Sequence, residues 1–235
     1  MKLLLIGYGR MGRLVEALAP EYGWEIAGVL DGRLNPGGEA LRPGSWHDVD
    51  VAVDFSTAAA LEQNLPRLAA LGKNVVIGTT GWDAVRPRLR ALAEEAGIGV
   101  LAAPNFSTGV VLFGEIVKAA GALLGPRADY GAWLHELHHA AKRDAPSGTA
   151  LSLKRALESS GYPRAIDVAA TRAGSIPGTH TIGFDAPSET ITLTHMVRDR
   201  GTFARGALAA ATWLRGRRGW YTMHDCLGLN DGGTQ

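Results

Sequence analysis

Lys2-Leu3-Leu4-Leu5-Ile6-Gly7-Tyr8-Gly9-Arg10-Met11-Gly12 opens the chain and decides its fold. The apolar run from Lys2 to Ile6 reads as a short, fully buried parallel strand. It passes into a GxGxxG spacing, and from Arg10 to Tyr22 the residues Met11, Leu14, Val15 and Leu18 recur on one face of a helix. Strand, glycine loop and helix in that order predict a dinucleotide-binding turn. Gly7 permits the tight turn, Gly9 lets backbone approach a pyrophosphate, and Gly12 lets helix and strand pack closely. The helix N-terminus then presents N–H groups to the anion. Tyr8, Arg10 and Met11 complete the expected loop contacts. Asp31 follows at the end of the next strand, where a carboxylate binds a ribose 2′-hydroxyl and repels a 2′-phosphate. Arg33 is either a partner for that phosphate or a solvated loop charge. NADH and NADPH are both expected cofactors.

Outward from this turn the alternation continues. Strands are predicted at Trp24–Leu30, Val49–Asp54, Asn74–Ile77 and Ile98–Ala102, with helices at Ala58–Leu71 and Trp82–Glu95. Strand and helix alternating with short connections, apart from a Gly- and Pro-rich loop over Asn35–Ser45, give a doubly wound α/β domain of Rossmann type. Ligands of such sheets lie beyond the carboxyl ends of the strands. That adds Phe55, the loop Gly78-Thr79-Thr80-Gly81, and Ala103-Pro104-Asn105-Phe106 to the expected cofactor site.

The rhythm breaks near Phe106. A long apolar helix is predicted over Gly109–Leu124, then a strand Trp133–His139, a helix Thr149–Leu157 and strands Ile166–Arg172, His180–Phe184 and Glu189–Val197. A helix over Thr202–Leu214 precedes a mixed tail from Gly219. The expected organisation is a dinucleotide-binding domain at 1–106, a substrate-binding and oligomerisation domain of α+β type with a mixed sheet at 107–204, and a segment at 205–235 returning to the first domain.

Composition sets the limits. The chain has 235 residues, 46% hydrophobic, which excludes a disordered chain. A net charge of +1 argues against nucleic acid, whose phosphates select basic faces. No stretch approaches the ~18 uninterrupted apolar residues of a membrane span. One cysteine, Cys226, excludes an internal disulfide and points to a reducing cytoplasm. Gly occurs 31 times, about twice the ~7% usual share, so backbone must approach something closely at several places.

His135, His138 and His139 fall within one short passage, His135-Glu136-Leu137-His138-His139-Ala140-Ala141-Lys142-Arg143-Asp144-Ala145-Pro146-Ser147-Gly148-Thr149. No cysteine or acid set completes a metal pattern, so no metal is expected. Histidine exchanges protons near neutrality, and lysine holds an anion and can donate a proton, which arginine cannot. Lys142 is kept here in a chain with only four other lysines, Lys2, Lys73, Lys118 and Lys154. Gly148 and Thr149 open a helix whose positive end suits a carboxylate, with Ser147 or Thr149 near the cap. Asp144 is read as organising the loop, and His135 as not catalytic. The array predicts a proton-transferring pocket for a small anionic substrate. Another dehydrogenase of anionic amino-acid precursors, or a dinucleotide sensor without turnover, would share the glycine loop but not need this array.

The run Glu136-Leu137-His138-His139-x-x-Lys142-x-Asp144-Ala145-Pro146-Ser147-Gly148-Thr149-Ala150 resembles the signature of the dihydrodipicolinate reductase family. The likeness extends to Gly7–Gly12, Asp54-Phe55-Ser56, Gly78–Gly81, Ala103–Ser107, Arg172-Ala173-Gly174, Gly178-Thr179-His180-Thr181 and Tyr221-Thr222-Met223-x-Asp225-x-Leu227-Gly228-Leu229. Gly32 departs from members that place a basic residue after the acid. The resemblance implies a homotetrameric NAD(P)H-dependent reductase of lysine and diaminopimelate synthesis, acting on a small dicarboxylate. It implies His138 as the acid and Lys142 as a second proton donor. It also implies His139 as a substrate ligand, with Gly148 and Thr149 at a substrate carboxylate.

Overall fold

In the computed structural model, which describes residues 1–230, the opening run forms strand β1 (Lys2–Ile6) and helix α1 (Arg10–Leu18). The chain continues through β2 (Glu25–Leu30), β3 (Val51–Asp54), α2 (Ala58–Ala70), β4 (Asn74–Ile77), α3 (Arg86–Glu95), β5 (Gly99–Ala102) and α4 (Thr108–Leu124). Then come β6 (Gly131–His138), α5 (Gly148–Ser159), β7 (Ile166–Arg172), β8 (Thr179–Ala186), β9 (Glu189–Met196), α6 (Gly201–Leu214), β10 (Gly219–Tyr221) and α7 (Met223–Leu227).

The first compact unit comprises the chain up to Thr108 and the segment from Gly201 onward, so α6 lies wholly within it. Its six strands run in the order β10-β5-β4-β3-β1-β2, and every neighbour pair is parallel. The order reverses between β1 and β3, which creates a crevice at their carboxyl ends. The strands are near-continuously apolar because both faces are covered. On one face, Leu4, Ile6, Ala52, Val75 and Ile77 pack with Leu61, Leu65 and Leu68 of α2 and Leu89 of α3. On the other, α6 packs against α1 and the central strands. A side chain at Gly206 would meet the Phe106 carbonyl at 1.7 Å, so that contact is backbone against backbone.

Two helices are shorter than the periodicity suggests. The predicted helix Arg10–Tyr22 is α-helical only to Leu18 and closes as a 3₁₀ turn over Ala19–Tyr22. Pro20 lacks the N–H that would continue the ladder, and Gly23 reverses the chain at φ +69°. The predicted helix Trp82–Glu95 begins as a 3₁₀ turn over Asp83–Val85, with α3 proper starting at Arg86 just before Pro87. The mixed tail is resolved into β10, which extends the sheet beside β5, and α7, closed by a reciprocal Thr222–Asp225 capping box.

The second unit, Gly109–Arg200, is built on a mixed sheet ordered β7-β6-β8-β9. The β6–β7 pair is parallel; β6–β8 and β8–β9 are antiparallel. Phe113 and Val117 of α4 and Leu153 and Leu157 of α5 cover one face, packing on Leu134, Ile182 and Phe184. Alternation along β6 buries Ala132, Leu134, Glu136 and His138 and leaves Trp133, His135 and Leu137 on the opposite side. Among the described residues no helix is long and apolar enough to cross a membrane.

Candidate active site

In the first unit, the sheet's hydrogen bonding continues past the strand ends and fixes the loops there. The Gly7 amide donates to Leu30 O at 2.7 Å, Phe55 N–H to Ile6 O at 2.8 Å, Gly78 N–H to Asp54 O at 2.9 Å and Ala103 N–H to Ile77 O at 3.1 Å. All four predicted cofactor loops therefore gather at one end of one sheet. Gly7 sits at φ +88°, and a Cβ on it would meet the Phe55 carbonyl at 2.4 Å. A Cβ on Gly12 would meet the Gly7 carbonyl at 2.2 Å. These two glycines serve the packing of turn on strand and helix on turn.

Gly9 differs. It caps α1 at φ −80°, ψ −156°, and no protein atom lies within 4 Å of where its Cβ would stand. No side chain caps this helix and no acid lies in its first turn. The cradle that a Cβ would fill, at an uncapped positive helix end, fits a pyrophosphate. Arg10 and Met11 occupy the first turn, while the Tyr8 hydroxyl donates back to Glu16.

Asp31 Oδ1 accepts the amides of Arg33 and Leu34 at 2.9 and 3.0 Å, and these amides hold its carboxyl below the ordinary range. A cavity of about 50 Å³ opens beside it, lined by Gly7, Asp31, Ser56 and Asn64 among others. Phe55 fills the space a Gly78 side chain would need and meets Phe106 edge-on at 5.9 Å. Thr79 is buried, Thr80 exposed, and Asn105 Oδ1 accepts the Ser107 amide at 2.8 Å. Ala103 is buried and Pro104 exposed beside them.

In the second unit, the strand β6 ends at His138 rather than His139. His138 faces inward beside Glu136. His139 lies beyond the strand, its Nε2 3.5 Å from the Arg200 guanidinium. His135 lies on the other face and contacts Thr171 Oγ1 at 3.0 Å, which separates it from the cluster. Lys142 pairs with the Asp144 carboxylate at 2.8 Å, and this lysine depresses the Asp144 pKa, helped by the Gly148 amide. Asp144 thus sits as an anion between Lys142 and the start of α5, the two features expected to hold a carboxylate. Ser147 is the N-cap of α5, accepting Ala150 N–H at 3.1 Å, while Gly148 and Thr149 form the first turn.

Residues 1–106 match the family model "Dihydrodipicolinate reductase, N-terminus", and residues 109–227 match "Dihydrodipicolinate reductase, C-terminus". The chain belongs to the dihydrodipicolinate reductase family. A 4-hydroxy-tetrahydrodipicolinate reductase of Christiangramia forsetii is 32% identical over 97% of this chain and 98% of that protein. One from Archaeoglobus fulgidus is 38% identical over 93% and 96%. A solved structure, a dipicolinate-bound dihydrodipicolinate reductase from Paenisporosarcina sp. TG-14, shares the fold at TM-score 0.75. It is 22% identical and covers 94% of this chain and 97% of that one. As a dihydrodipicolinate reductase family member, the chain is an oxidoreductase.

Within that family's signature, sequence reasoning missed Glu136. It is fully buried. Oε1 accepts from Arg172 Nη2 at 2.6 Å and from the Ser147 amide at 3.1 Å, and Oε2 faces His138 Nδ1. Burial raises the Glu136 pKa, but Arg172, the amide and His138 outweigh it and hold the carboxyl below its usual value. Burial pushes His138 down, opposed by Glu136 and aided by Lys142 and Arg172. His180, its ring 5.2 Å from that of His138, is driven to about 4 by burial and by His138. The signal was available: Glu136 and His138 are two residues apart on a strand and must share a face.

Ligand atoms of Glu136, His138 and His180 lie within 4.8 Å of one another. Both Glu136 oxygens are already engaged, one by a guanidinium that repels a cation, so the group reads as a proton network and not a metal centre. Asp54 heads the Asp54-Phe55-Ser56 strand end of the first unit. Fully buried at the end of β3, its Oδ1 accepts the Ser56 amide, the Ser56 hydroxyl at 2.6 Å and the Thr79 hydroxyl at 2.7 Å. It ties two cofactor loops to one strand end, and burial raises its pKa.

Proposed function

We propose that His138 and Lys142 are the proton donors, and His139, Gly148 and Thr149 substrate ligands, in the reaction this family carries out. That reaction is the NAD(P)H-dependent reduction of 4-hydroxy-tetrahydrodipicolinate to tetrahydrodipicolinate in lysine and diaminopimelate synthesis. The observation that carries the assignment is the His138 ring held by a buried carboxylate at one nitrogen, with the Lys142 charge near enough to act on it.

The first unit is read as the dinucleotide-binding part. Gly7, Tyr8, Gly9, Arg10, Met11 and Gly12 would hold the pyrophosphate, and Asp31 and Arg33 the adenosine ribose. Phe55, Gly78, Thr79, Thr80 and the stretch Ala103–Phe106 would line the nicotinamide end. NAD(P)H supplies a hydride when bound. The substrate, after loss of its hydroxyl as water, holds a conjugated C=C–C=N system in a ring bearing two carboxylates. Reduction there builds charge toward the ring nitrogen, and a proton from His138 or Lys142 completes the product. Lys142 engages a substrate carboxylate in place of Asp144, and the start of α5 receives the same group through its amides.

The enzyme is read as a cytoplasmic homotetramer. The face of the mixed sheet away from α4 and α5 carries Trp133, Leu137, Thr192, Thr194 and Met196, and Met196 is 64% exposed. Light scattering would give four chains per particle. The reaction itself is tested by coupling: the aldol product of pyruvate and aspartate semialdehyde is supplied, and NADH and NADPH oxidation are followed. Absence of oxidation with both cofactors would refute it.

A further inference from the structure

Glu136 touches no reacting atom in the scheme above, yet its surroundings are more completely determined than those of any proton donor. Arg172 from β7 and the Ser147 amide fix one oxygen, so the other can point only at His138 Nδ1. A carboxylate only accepts hydrogen bonds, so the proton must reside on Nδ1. Nε2 is then the nitrogen whose proton comes and goes. Nε2 points toward Gly178, at φ +150°, where a Cβ would stand 3.0 Å from that nitrogen. A side chain at that position would crowd Nε2, so glycine keeps room beside the exchanging nitrogen, while Glu136 determines which nitrogen it is.

We infer that Glu136 is the positioning residue of the proton donor, locking His138 as the Nδ1–H tautomer and presenting Nε2 to the substrate. The inference rests on the assignment of His138 as proton donor. When Nε2–H donates, the imidazolium becomes a neutral Nδ1–H imidazole, and the proton is replaced from solvent. Four groups act on the ring: Glu136 on its own strand at Nδ1, His180 from β8 edge-on to it, and the positive charges of Arg172 from β7, in register with His138, and of Lys142 from the following loop. Three are cationic or can become so. Glu136 is the one anion among them, so the charged form of His138 depends on it.

The test uses the full chain with 15N-labelled histidine. Wild type is expected to show His138 as the Nδ1–H tautomer. Glu136→Gln, of equal size but able to present its amide N–H to Nδ1, is expected to move the proton to Nε2. Turnover should fall about 100-fold or more, with substrate KM and NADH affinity within about threefold. The alkaline limb of the kcat–pH profile should move to lower pH, because the remaining cationic groups disfavour imidazolium. Glu136→Asp, which keeps the charge, should recover part of the turnover. A wild-type His138 carrying its proton on Nε2 would overturn the inference without any variant. So would a Glu136→Gln enzyme whose kcat is unchanged, or whose loss leaves tautomer and pH limb unmoved. Failure of the underlying reading is distinguishable: a His138→Ala enzyme would then turn over normally whatever the tautomer.

Discussion

Gly9→Ala separates a glycine kept for a ligand from glycines kept for the fold. Gly9 has φ −80° and ψ −156°, a backbone any L-residue adopts, and no protein atom lies within 4 Å of the position its Cβ would take. Alanine is a poorer N-cap than glycine, a cost below about 1 kcal/mol. Reduced freedom in the unfolded chain returns about 0.4–1 kcal/mol. The two nearly cancel, so the melting temperature of the cofactor-free protein should move by less than about 3 °C. The methyl group occupies the cradle where the pyrophosphate is placed. Losing one charge-assisted amide contact there costs about 1.5–3 kcal/mol, so NADH affinity should fall about 10- to 100-fold.

The assay is a fluorescence titration with NADH alongside thermal unfolding without it. Gly12→Ala is the counterpart. Its Cβ would stand 2.2 Å from the Gly7 carbonyl, so the helix must move off the turn and both stability and affinity should fall. If Gly9→Ala bound NADH as tightly as wild type, the pyrophosphate would not lie at this turn. A large loss of stability in Gly9→Ala would show instead that the glycine serves the fold.

Three further outcomes follow from the same geometry. Asp31→Asn keeps the oxygen that accepts the Arg33 and Leu34 amides but removes the charge; the ratio of kcat/KM for NADPH over NADH should rise about tenfold, and an unchanged ratio would exclude Asp31 from the ribose site. Changing His138 and Lys142 together to alanine should lower kcat by about 10²–10⁴ while the NADH dissociation constant stays put, and near-normal turnover would remove both as proton donors. His180 has a folded pKa of about 4, below its unfolded value, so the native state resists a proton that the unfolded chain accepts. Stability should therefore drop as pH falls from about 6.5 toward 4, by up to ~3 kcal/mol, and urea unfolding of His180→Gln at pH 7 and pH 5 should show a smaller drop than wild type.

The parts of this chain that could be read from residues alone are those in which chemistry and spacing coincide locally. Gly7, Gly9 and Gly12 follow a buried strand directly, so turn, helix end and ligand are specified within one short stretch. Asp31 could be found because the next strand end is predictable. Helix ends were harder, since Pro20 and Pro87 turn the flanking backbone toward 3₁₀ geometry without altering the apolar period. Glu136 was hidden for a different reason. A lone glutamate between His135 and Leu137 gives no local sign of burial, and its partners Arg172 and Ser147 arrive through β7 and the start of α5. Strand pairing brings in Arg172, since Glu136 is in register with Ala170 and His138 with Arg172, while the N-cap of α5 brings in Ser147. The histidines that attract attention in sequence then divide by strand parity. His135 faces away from the cluster and His139 lies past the strand end, so of these three only His138 shares the face of Glu136. What chooses the proton donor among three neighbouring histidines is therefore the two-residue period of β6 together with a carboxylate whose own partners lie on other elements.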